Sequence, residues 1–142
     1  MIEILKVQEI VREAAKIFSN RNAAEQIKQK GVFDYVTAID EAVQEFIQKE
    51  LSDLYPQIQF MGEEKDNSDI DMSGQVWVLD PVDGTTNLIH DYQNSAISLA
   101  LIDNSEIILG IIYNPFSDEM FYAEKDKGSF LNGKRIYVSD AE

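Results

Sequence analysis

The pattern of hydrophobic residues changes about halfway along this chain, from helical spacing to strand-like runs. Apolar residues recur at helical spacing between Val7 and Phe18, and again from about residue 39 to residue 54. Short apolar runs separated by polar turns follow, at residues 76–79, 97–102, 107–113, 120–123 and 136–138. Short turns favour antiparallel pairing of consecutive strands. The sequence therefore predicts an α+β fold in which N-terminal helices pack on a largely antiparallel sheet.

The octet DPVDGTTN at residues 80–87 follows one of these apolar runs and carries the clearest functional signal. It places two carboxylates and two hydroxyls at the C-terminal end of a predicted strand, where ligands collect in layered α/β proteins. Asp80 and Asp83 can share a divalent cation, and Gly84 allows close approach of the backbone to a ligand. The two threonines offer backbone N–H groups at a helix start, which favours an anion such as phosphate. The octet therefore indicates a metal-dependent enzyme that acts on phosphate.

Three other interpretations of the octet explain less of it. A plain turn accounts for Pro81 and Gly84, but it gives no reason for a second aspartate or for paired threonines. An EF-hand calcium loop requires glycine at its sixth position, where this octet has Thr85. An aspartate that caps a helix would explain Asp83 but not Asp80.

Two further segments place acidic residues beside predicted elements. The sequence GEE at residues 62–64 follows the apolar run at 58–61, and DYVTAID at residues 34–40 leads into the second predicted helix. Taken alone, the glutamate pair is also typical of solvated surface charge. Thr37 and Asp40 have the spacing of a helix capping box, which would occupy Asp40 without any chemistry.

Together and in this order, the three segments resemble the inositol monophosphatase family of magnesium-dependent, lithium-sensitive phosphatases. The resemblance continues through residues 87–90, 96–99 and 128–133, and so covers nearly the whole chain. The TTN ending of the octet resembles the branch of the family that acts on inositol phosphates. The resemblance therefore implies a small phosphorylated polyol or sugar as substrate, and a layered α/β sandwich as the complete fold.

One part of the family pattern is absent. Members carry a Trp-Asp pair in their second half, whereas the single tryptophan here, Trp77, is followed by Val78. Members are also nearly twice as long. The resemblance therefore implies that residues 1–142 form a single domain corresponding to the N-terminal portion of such a phosphatase, and that a sheet edge or sheet face is left exposed.

The resemblance also implies a set of metal ligands. Glu63, Asp80, Asp83 and the backbone carbonyl of Val82 would hold two or three Mg²⁺ ions. Magnesium is a hard cation that prefers oxygen ligands, which suits an acidic site in a chain without cysteine.

Catalytic and substrate-binding roles follow from the same resemblance. The hydroxyl of Thr85, hydrogen-bonded to Asp40, would orient the attacking water, and Glu63 would complete the catalytic set. Glu64 would either orient the water or stay outside the site. No counterpart of the family's upstream basic residue is assigned among Lys28 and Lys30. The expected substrate-binding residues are Glu63, Val82, Asp83, Gly84 and Thr85.

Composition excludes several other classes of function. With 12 basic and 26 acidic residues, the net charge is −14, which repels nucleic acid and anionic membranes. The absence of cysteine excludes disulfides, thiolate catalysis and zinc–thiolate sites. The first six residues carry charge early and do not predict a signal peptide. These features fit a cytoplasmic protein without nucleic-acid or membrane partners.

An alternative class of function is a non-catalytic module that binds metal weakly or acts through an exposed face. The short chain favours this alternative. The complete set of Asp40, Glu63, Asp80, Asp83 and Thr85 favours an enzyme instead, because loss of function would be expected to remove one of them.

A homodimer is compatible with the resemblance, since the family is commonly dimeric. The acidic segment at 66–74 is predicted to be a surface loop rather than an active-site lid.

Overall fold

The structure, a computed structural model, describes residues 2–19, 32–63, 66–90 and 92–140. The helices are α1 (Ile4–Ala15), α2 (Val32–Leu54) and α3 (Thr85–Ile89), and a short 3-10 helix follows α1 at Lys16–Ser19. The strands are β1 (Gln59–Gly62), β2 (Gln75–Asp83), β3 (Ala96–Asp103), β4 (Glu106–Asn114), β5 (Glu119–Glu124), β6 (Gly128–Leu131) and β7 (Lys134–Ile136).

The seven strands form a single sheet in sequence order. β1 pairs with β2 in parallel, and every later pair in the described sheet is antiparallel. The predicted α+β fold with a largely antiparallel sheet is therefore confirmed. The parallel pair is possible because the segment between β1 and β2 is long enough to return the chain to the same end of the sheet.

The second helix begins earlier than the sequence pattern predicts. It starts at Val32 instead of near residue 39, so Thr37 lies inside the helix and not at its N-terminus. The capping-box interpretation of Thr37 and Asp40 is therefore wrong. Apolar residues at 33 and 36 continue the helical spacing backwards from Ile39, and the intervening polar residues hid this continuation.

The turn residues of the last hairpin determine how its two strands pair. Asn132 and Gly133 have φ values of 49° and 83°, the left-handed values that a two-residue hairpin turn requires. They join β6 to β7 in a hairpin, as an Asn-Gly dipeptide between two strands favours. The final strand ends at Ile136, whereas the sequence pattern predicts strand at 136–138.

The hydrophobic core lies between the helices and one face of the sheet. Val43, Ile47 and Leu51 of α2 are buried with Trp77 and Leu79 of β2, each no more than 2% exposed. Buried and more exposed residues alternate along β3: residues 97, 99 and 101 are buried. This pattern is typical of a strand with one face on a core.

The opposite face of the sheet is apolar and open among the described residues. Ile107 is 64% exposed, Ile112 49% and Phe121 36%. A hollow of about 420 Å³ lies on this face, between β3, β4 and β5. No helix in the described part of the chain has the length and apolar character needed to cross a membrane.

The acidic segment at residues 66–74 is tied to the first strand. The side chain of Gln59 accepts a hydrogen bond from the Asp71 N–H at 2.8 Å and donates one to the Asp71 carbonyl at 2.9 Å. Ser105, in the turn between β3 and β4, donates to the Met72 carbonyl. These contacts favour the surface-loop interpretation, because a lid must be free to open.

Candidate active site

A β-bulge shapes the end of β2, where the octet begins. Asp80 pairs with Ser98 and Asp83 pairs with Ala96, so three steps along β2 correspond to two along β3. The extra residue falls at Pro81 or Val82, and a proline is tolerated in a strand at such an irregularity. Bulges turn side chains away from the regular alternation and are common beside active sites. The bulge therefore allows both aspartates to lie at one end of the strand.

Strand register places the end of β1 next to this bulge. Gly62 at the end of β1 pairs in parallel with Leu79 of β2. Glu63 follows Gly62 in a turn, and Asp80 follows Leu79 in β2. The glutamate of the GEE segment and the first aspartate of the octet thus follow the last paired residues of two neighbouring strands, at one end of the sheet.

Asp80 lies in an environment that is unfavourable for a lone carboxylate. Its Oδ1 atom is buried and has no hydrogen-bond partner among the described residues. Burial and the neighbouring carboxylate of Asp83 raise the pKa of Asp80 above its ordinary value, and a hydrogen bond from the Val82 N–H opposes part of this rise. A cation bound between Asp80 and Asp83 would supply the missing partner and remove their repulsion.

Helix α2 brings Asp40 towards the same end of the sheet. Asp40 is half-buried and lies one helical turn before Gln44, which is buried. Gln44 packs so closely on Gly62 that a Cβ atom at position 62 would lie 2.6 Å from its Cδ. The glycine before Glu63 therefore leaves room for the Gln44 side chain between α2 and β1. α2 also contacts α3, the helix that carries Thr85.

The turn between β2 and α3 is held in a left-handed conformation. Gly84 has φ 90° and ψ 43°, and a Cβ atom there would lie 2.9 Å from the Asn94 carbonyl. Ser95 donates a hydrogen bond to the Gly84 carbonyl, and Asn87 donates one to the Asn94 carbonyl, both at 2.8 Å. A polar cleft of about 200 Å³ opens between Asp83, Gly84 and these side chains.

Thr85 begins α3, and its hydroxyl donates a hydrogen bond to the Val82 carbonyl at 3.2 Å. That carbonyl is the backbone oxygen expected to bind metal, so the contact joins two predicted site residues. The hydrogen bond between Thr85 and Asp40 stays a prediction. A hydroxyl has one hydrogen, and donation to Asp40 requires the Thr85 hydroxyl to turn away from Val82.

The expected metal site is not assembled by side chains alone. Within the described residues, no three acidic or histidine side chains are arranged to hold a metal ion, so side-chain convergence of Glu63 with the two aspartates stays a prediction. Glu64, Lys28 and Lys30 lie outside the described residues. His90, the single histidine of the sequence, stacks on Tyr92 with ring centroids 5.5 Å apart.

Three residues of the site were missed by sequence reasoning. Gln44, Asn87 and Ser95 position the backbone of predicted site residues, but each contact joins residues that are distant in sequence or lie across a turn. Asn87 ends the octet and could have been noticed there. Gln44 and Ser95 have no local signal, since an isolated Gln or Ser is most often a surface residue.

Comparison with known proteins gives a consistent result over the whole chain. The family model described as "Inositol monophosphatase family" matches residues 2–142. An inositol monophosphatase of Dictyostelium discoideum is 42% identical over 138 residues, which is 94% of this chain and 51% of that protein. A fructose-1,6-bisphosphatase/inositol-1-monophosphatase of Thermotoga maritima is 39% identical over 113 residues, which is 80% of this chain and 43% of that protein.

Solved structures agree with the sequence relatives. Inositol monophosphatase II of Staphylococcus aureus MSSA476 superposes with a TM-score of 0.82 at 31% identity, over 94% of this chain and 51% of that chain. The extragenic suppressor protein suhB of Bartonella henselae superposes with a TM-score of 0.83 at 33% identity, over 97% of this chain and 54% of that chain. The chain thus spans about half the length of these proteins.

Proposed function

Because this chain belongs to the inositol monophosphatase family, we propose that it carries the metal-binding half of a phosphomonoesterase site. The reaction is hydrolysis of an inositol phosphate, or of a related sugar or polyol phosphate, by an activated water molecule. The observation that supports this proposal best is the buried Oδ1 of Asp80, beside Asp83 at the bulged end of β2, which has no hydrogen-bond partner among the described residues. A buried carboxylate oxygen without a hydrogen bond is costly unless a ligand satisfies it.

The donor set fits magnesium. Glu63, Asp80, Asp83 and the Val82 carbonyl offer only oxygen atoms, which Mg²⁺ prefers, and the sequence has no cysteine to favour a softer metal. We propose that these four residues hold two or three Mg²⁺ ions. When bound, the metal neutralises phosphate charge and lowers the pKa of the attacking water.

The chain's own residues would bind and orient the phosphate group. Gly84 and Thr85 offer backbone N–H groups to phosphate oxygens, as the family resemblance implies. The left-handed turn at Gly84, fixed by Ser95, gives those groups one orientation before substrate arrives. Such preorganisation is where enzymes gain most of their rate in phosphoryl transfer.

Water activation is proposed for Thr85 and Asp40. The Thr85 hydroxyl would donate to the Asp40 carboxylate and accept from the water, which orients the water for attack. The packing of α2 against α3 supports this pairing, because it brings the helix of Asp40 to the helix of Thr85. In the present structure the hydroxyl donates to Val82, so the pairing requires it to rotate.

The proposal is tested with the purified chain supplemented in trans with the second half of a family member, Mg²⁺ and an inositol monophosphate, beside the Asp80→Asn variant. Release of inorganic phosphate that depends on Mg²⁺, is inhibited by Li⁺ and is lost in Asp80→Asn would support it. An equal rate in the variant and the parent would show that the Asp80 site does not carry the reaction.

A second candidate function is supported by the open face of the sheet. Exposed Ile112 and Phe121 border an apolar hollow of about 420 Å³ on that face. Contiguous exposed apolar surface often marks an interaction site. The chain would then be a catalytically incomplete or non-catalytic module that acts through a partner. Full Mg²⁺-dependent turnover by the isolated chain would contradict this alternative.

A further inference from the structure

Ser95 holds the turn of the octet from the neighbouring strand. It precedes Ala96, the first residue of β3, which pairs with Asp83 at the end of β2. Ser95 is only 3% exposed, and its hydroxyl donates a hydrogen bond to the Gly84 carbonyl at 2.8 Å. Because the sheet register fixes the backbone next to it, the hydroxyl has a defined position beside the turn. Ser95 lies outside all the segments that resemble the family.

The Gly84 carbonyl accepts a second hydrogen bond from α3. The Leu88 N–H donates to it at 3.1 Å. A carbonyl oxygen has two lone pairs, so these two donors use its full capacity. The direction of the Gly84 carbonyl is therefore set jointly by Ser95, which precedes β3, and by Leu88 in α3.

The Thr85 N–H belongs to the same peptide unit as the Gly84 carbonyl. The unit is planar and trans, so its oxygen and its hydrogen point in opposite directions. A carbonyl held on one side thus determines where the Thr85 N–H points on the other. Two hydrogen bonds to the oxygen also polarise the unit, which makes its N–H a stronger donor. The Thr85 N–H is one of the two groups proposed above to bind phosphate oxygens.

A separate set of contacts holds the backbone that carries Ser95. The Asn87 side chain donates to the Asn94 carbonyl at 2.8 Å, and the Asn114 side chain donates to the side-chain oxygen of Asn94 at 3.3 Å. These contacts do not involve the Ser95 hydroxyl. Removal of that hydroxyl should therefore release the Gly84 carbonyl while the neighbouring backbone keeps its position.

We propose that Ser95 is a positioning residue for phosphate, and that it acts through the peptide unit between Gly84 and Thr85. Its hydroxyl holds and polarises the Gly84 carbonyl, and thereby aims the Thr85 N–H at a phosphate oxygen. Ser95 itself does not touch the substrate. This proposal rests on the proposed function, because it requires phosphate to bind at Thr85, and it extends the site to a residue outside the octet.

The test is a titration of the chain with inorganic phosphate in the presence of excess Mg²⁺, with amide chemical shifts as the readout. We expect phosphate to shift the amide signals of Gly84 and Thr85 in the parent chain. Ser95→Ala should weaken phosphate binding about tenfold, because the hydrogen bond from the Thr85 N–H loses its alignment and part of its strength. Its affinity for Mg²⁺, measured by thermal unfolding without phosphate, should equal that of the parent, because no proposed metal ligand is changed.

A measurement without any ligand separates positioning from a general loss of stability. A hydrogen bond to a carbonyl polarises the peptide unit, which deshields both the carbonyl carbon and the amide nitrogen of that unit. In Ser95→Ala, the carbonyl carbon signal of Gly84 and the amide nitrogen signal of Thr85 should therefore both move upfield. A merely structural role of Ser95 would lower the melting temperature without moving these two signals in a common direction.

Two further variants complete the comparison. Ser95→Thr keeps a hydroxyl at this position and should restore both phosphate binding and the two signals towards their parent values. Ser105→Ala is the matched control, because the Ser105 hydroxyl also donates to a backbone carbonyl, that of Met72 at 3.2 Å, but beyond the opposite end of β3. The control should bind phosphate as tightly as the parent.

The contrary results have distinct meanings. Equal phosphate affinity of Ser95→Ala and the parent would overturn the role of Ser95 and leave the proposed function intact. Equal weakening in Ser95→Ala and Ser105→Ala would also overturn that role, because the loss would then follow the removal of any such hydroxyl. A parent chain whose Gly84 and Thr85 signals do not respond to phosphate would contradict the proposed function itself, and the proposal for Ser95 would fail with it.

Discussion

At the scale of single residues, Asp80 has an unfavourable environment for its charge and a proposed role in binding metal. Its buried Oδ1 has no partner in the part of the chain that the structure describes, and its neighbour Asp83 carries the same charge. Buried charge without compensation is a cost that proteins retain at sites that bind something. This conflict between stability and function leads to predictions that do not require the complete enzyme.

The pH dependence of stability should reveal the cost of ionising Asp80. Its pKa in the folded chain is raised above the ordinary value of 3.8, so folding favours its protonated form. Ionised Asp80 therefore destabilises the metal-free chain, and this loss develops as pH rises from about 3.8 through the folded pKa. Asp80→Asn should thus be more stable than the parent at neutral pH, with the difference vanishing in acid.

The measurement is urea denaturation of both chains without metal at several pH values. Asp69→Asn, in the exposed loop, is the control and should follow the parent. A parent chain that matches Asp80→Asn in stability at neutral pH would contradict the prediction.

Magnesium should reverse this order of stability. A ligand that binds only the folded chain stabilises it by about 2.7 kcal/mol at a hundred times its dissociation constant. We expect Mg²⁺ to raise the melting temperature of the parent and to leave Asp80→Asn nearly unchanged, because the carboxylate charge is gone. Thermal unfolding with increasing Mg²⁺ measures this. An equal increase in both chains would place the metal elsewhere.

Thr85 permits a test of the proposed water activation. In a complete enzyme that contains this half, Thr85→Ala should lower kcat about a hundredfold, a usual effect of losing a group that positions a reactant or moves a proton. Thr85→Ser retains the hydroxyl and should keep most of the activity. If Thr85→Ala changes only the affinity for Mg²⁺, then Thr85 has a structural role and Asp40 is not its catalytic partner.

At the scale of elements, the site depends on how closely α2 approaches the end of β1. Gly62 permits this approach because Gln44 occupies the space that a side chain would fill. The same helix carries Asp40 one turn earlier. A change at Gly62 should therefore disturb both the packing of α2 and the position of Asp40.

Gly62→Ala should destabilise the chain by about 1–3 kcal/mol, the usual range for overpacking a tight contact. Gly110→Ala is a matched control, because a Cβ atom at that strand position would meet no other atom within 4 Å. The control should be near neutral or slightly stabilising, since alanine restricts the unfolded chain. Urea denaturation measures both. Equal stability of the two variants would show that Gln44 moves aside at little cost.

At the scale of the whole molecule, the described residues combine helices on one face of the sheet with an opposite face that is apolar and exposed. The core between α2 and β2 is fully buried, whereas Ile112 and Phe121 on the other face are exposed. The chain also spans about half the length of its relatives. We therefore expect a folded chain with a loosely closed active site.

The isolated chain should accordingly be a poor catalyst. Asp80 and Asp83 alone leave a bound cation with extra water, and small misplacements of reacting groups cost about a hundredfold in rate. Adding the second half of a family member in trans should restore Mg²⁺-dependent phosphate release and protect the exposed sheet face from hydrogen exchange. Phosphate release at the rate of a complete enzyme without that addition would contradict the prediction.

The sequence by itself determined the fold class, and it named the residues of the candidate site as predictions. Helical spacing, short strand runs and the Asn132-Gly133 turn are local signals, because each depends on residues only a few positions apart. The octet and the GEE segment predicted which acidic residues lie at strand ends. The start of α2 was missed, because polar residues interrupt its apolar pattern there.

Only the tertiary structure decided how these residues meet. The parallel register of β1 and β2 brings together the strand ends that precede Glu63 and Asp80, and the bulge sets the spacing of Asp80 from Asp83. The contact of Gln44 with Gly62 depends on helix packing, which no local pattern encodes. The reason is physical: propensity and periodicity act over one or two turns of chain, whereas register, close packing and desolvation depend on groups far apart in sequence.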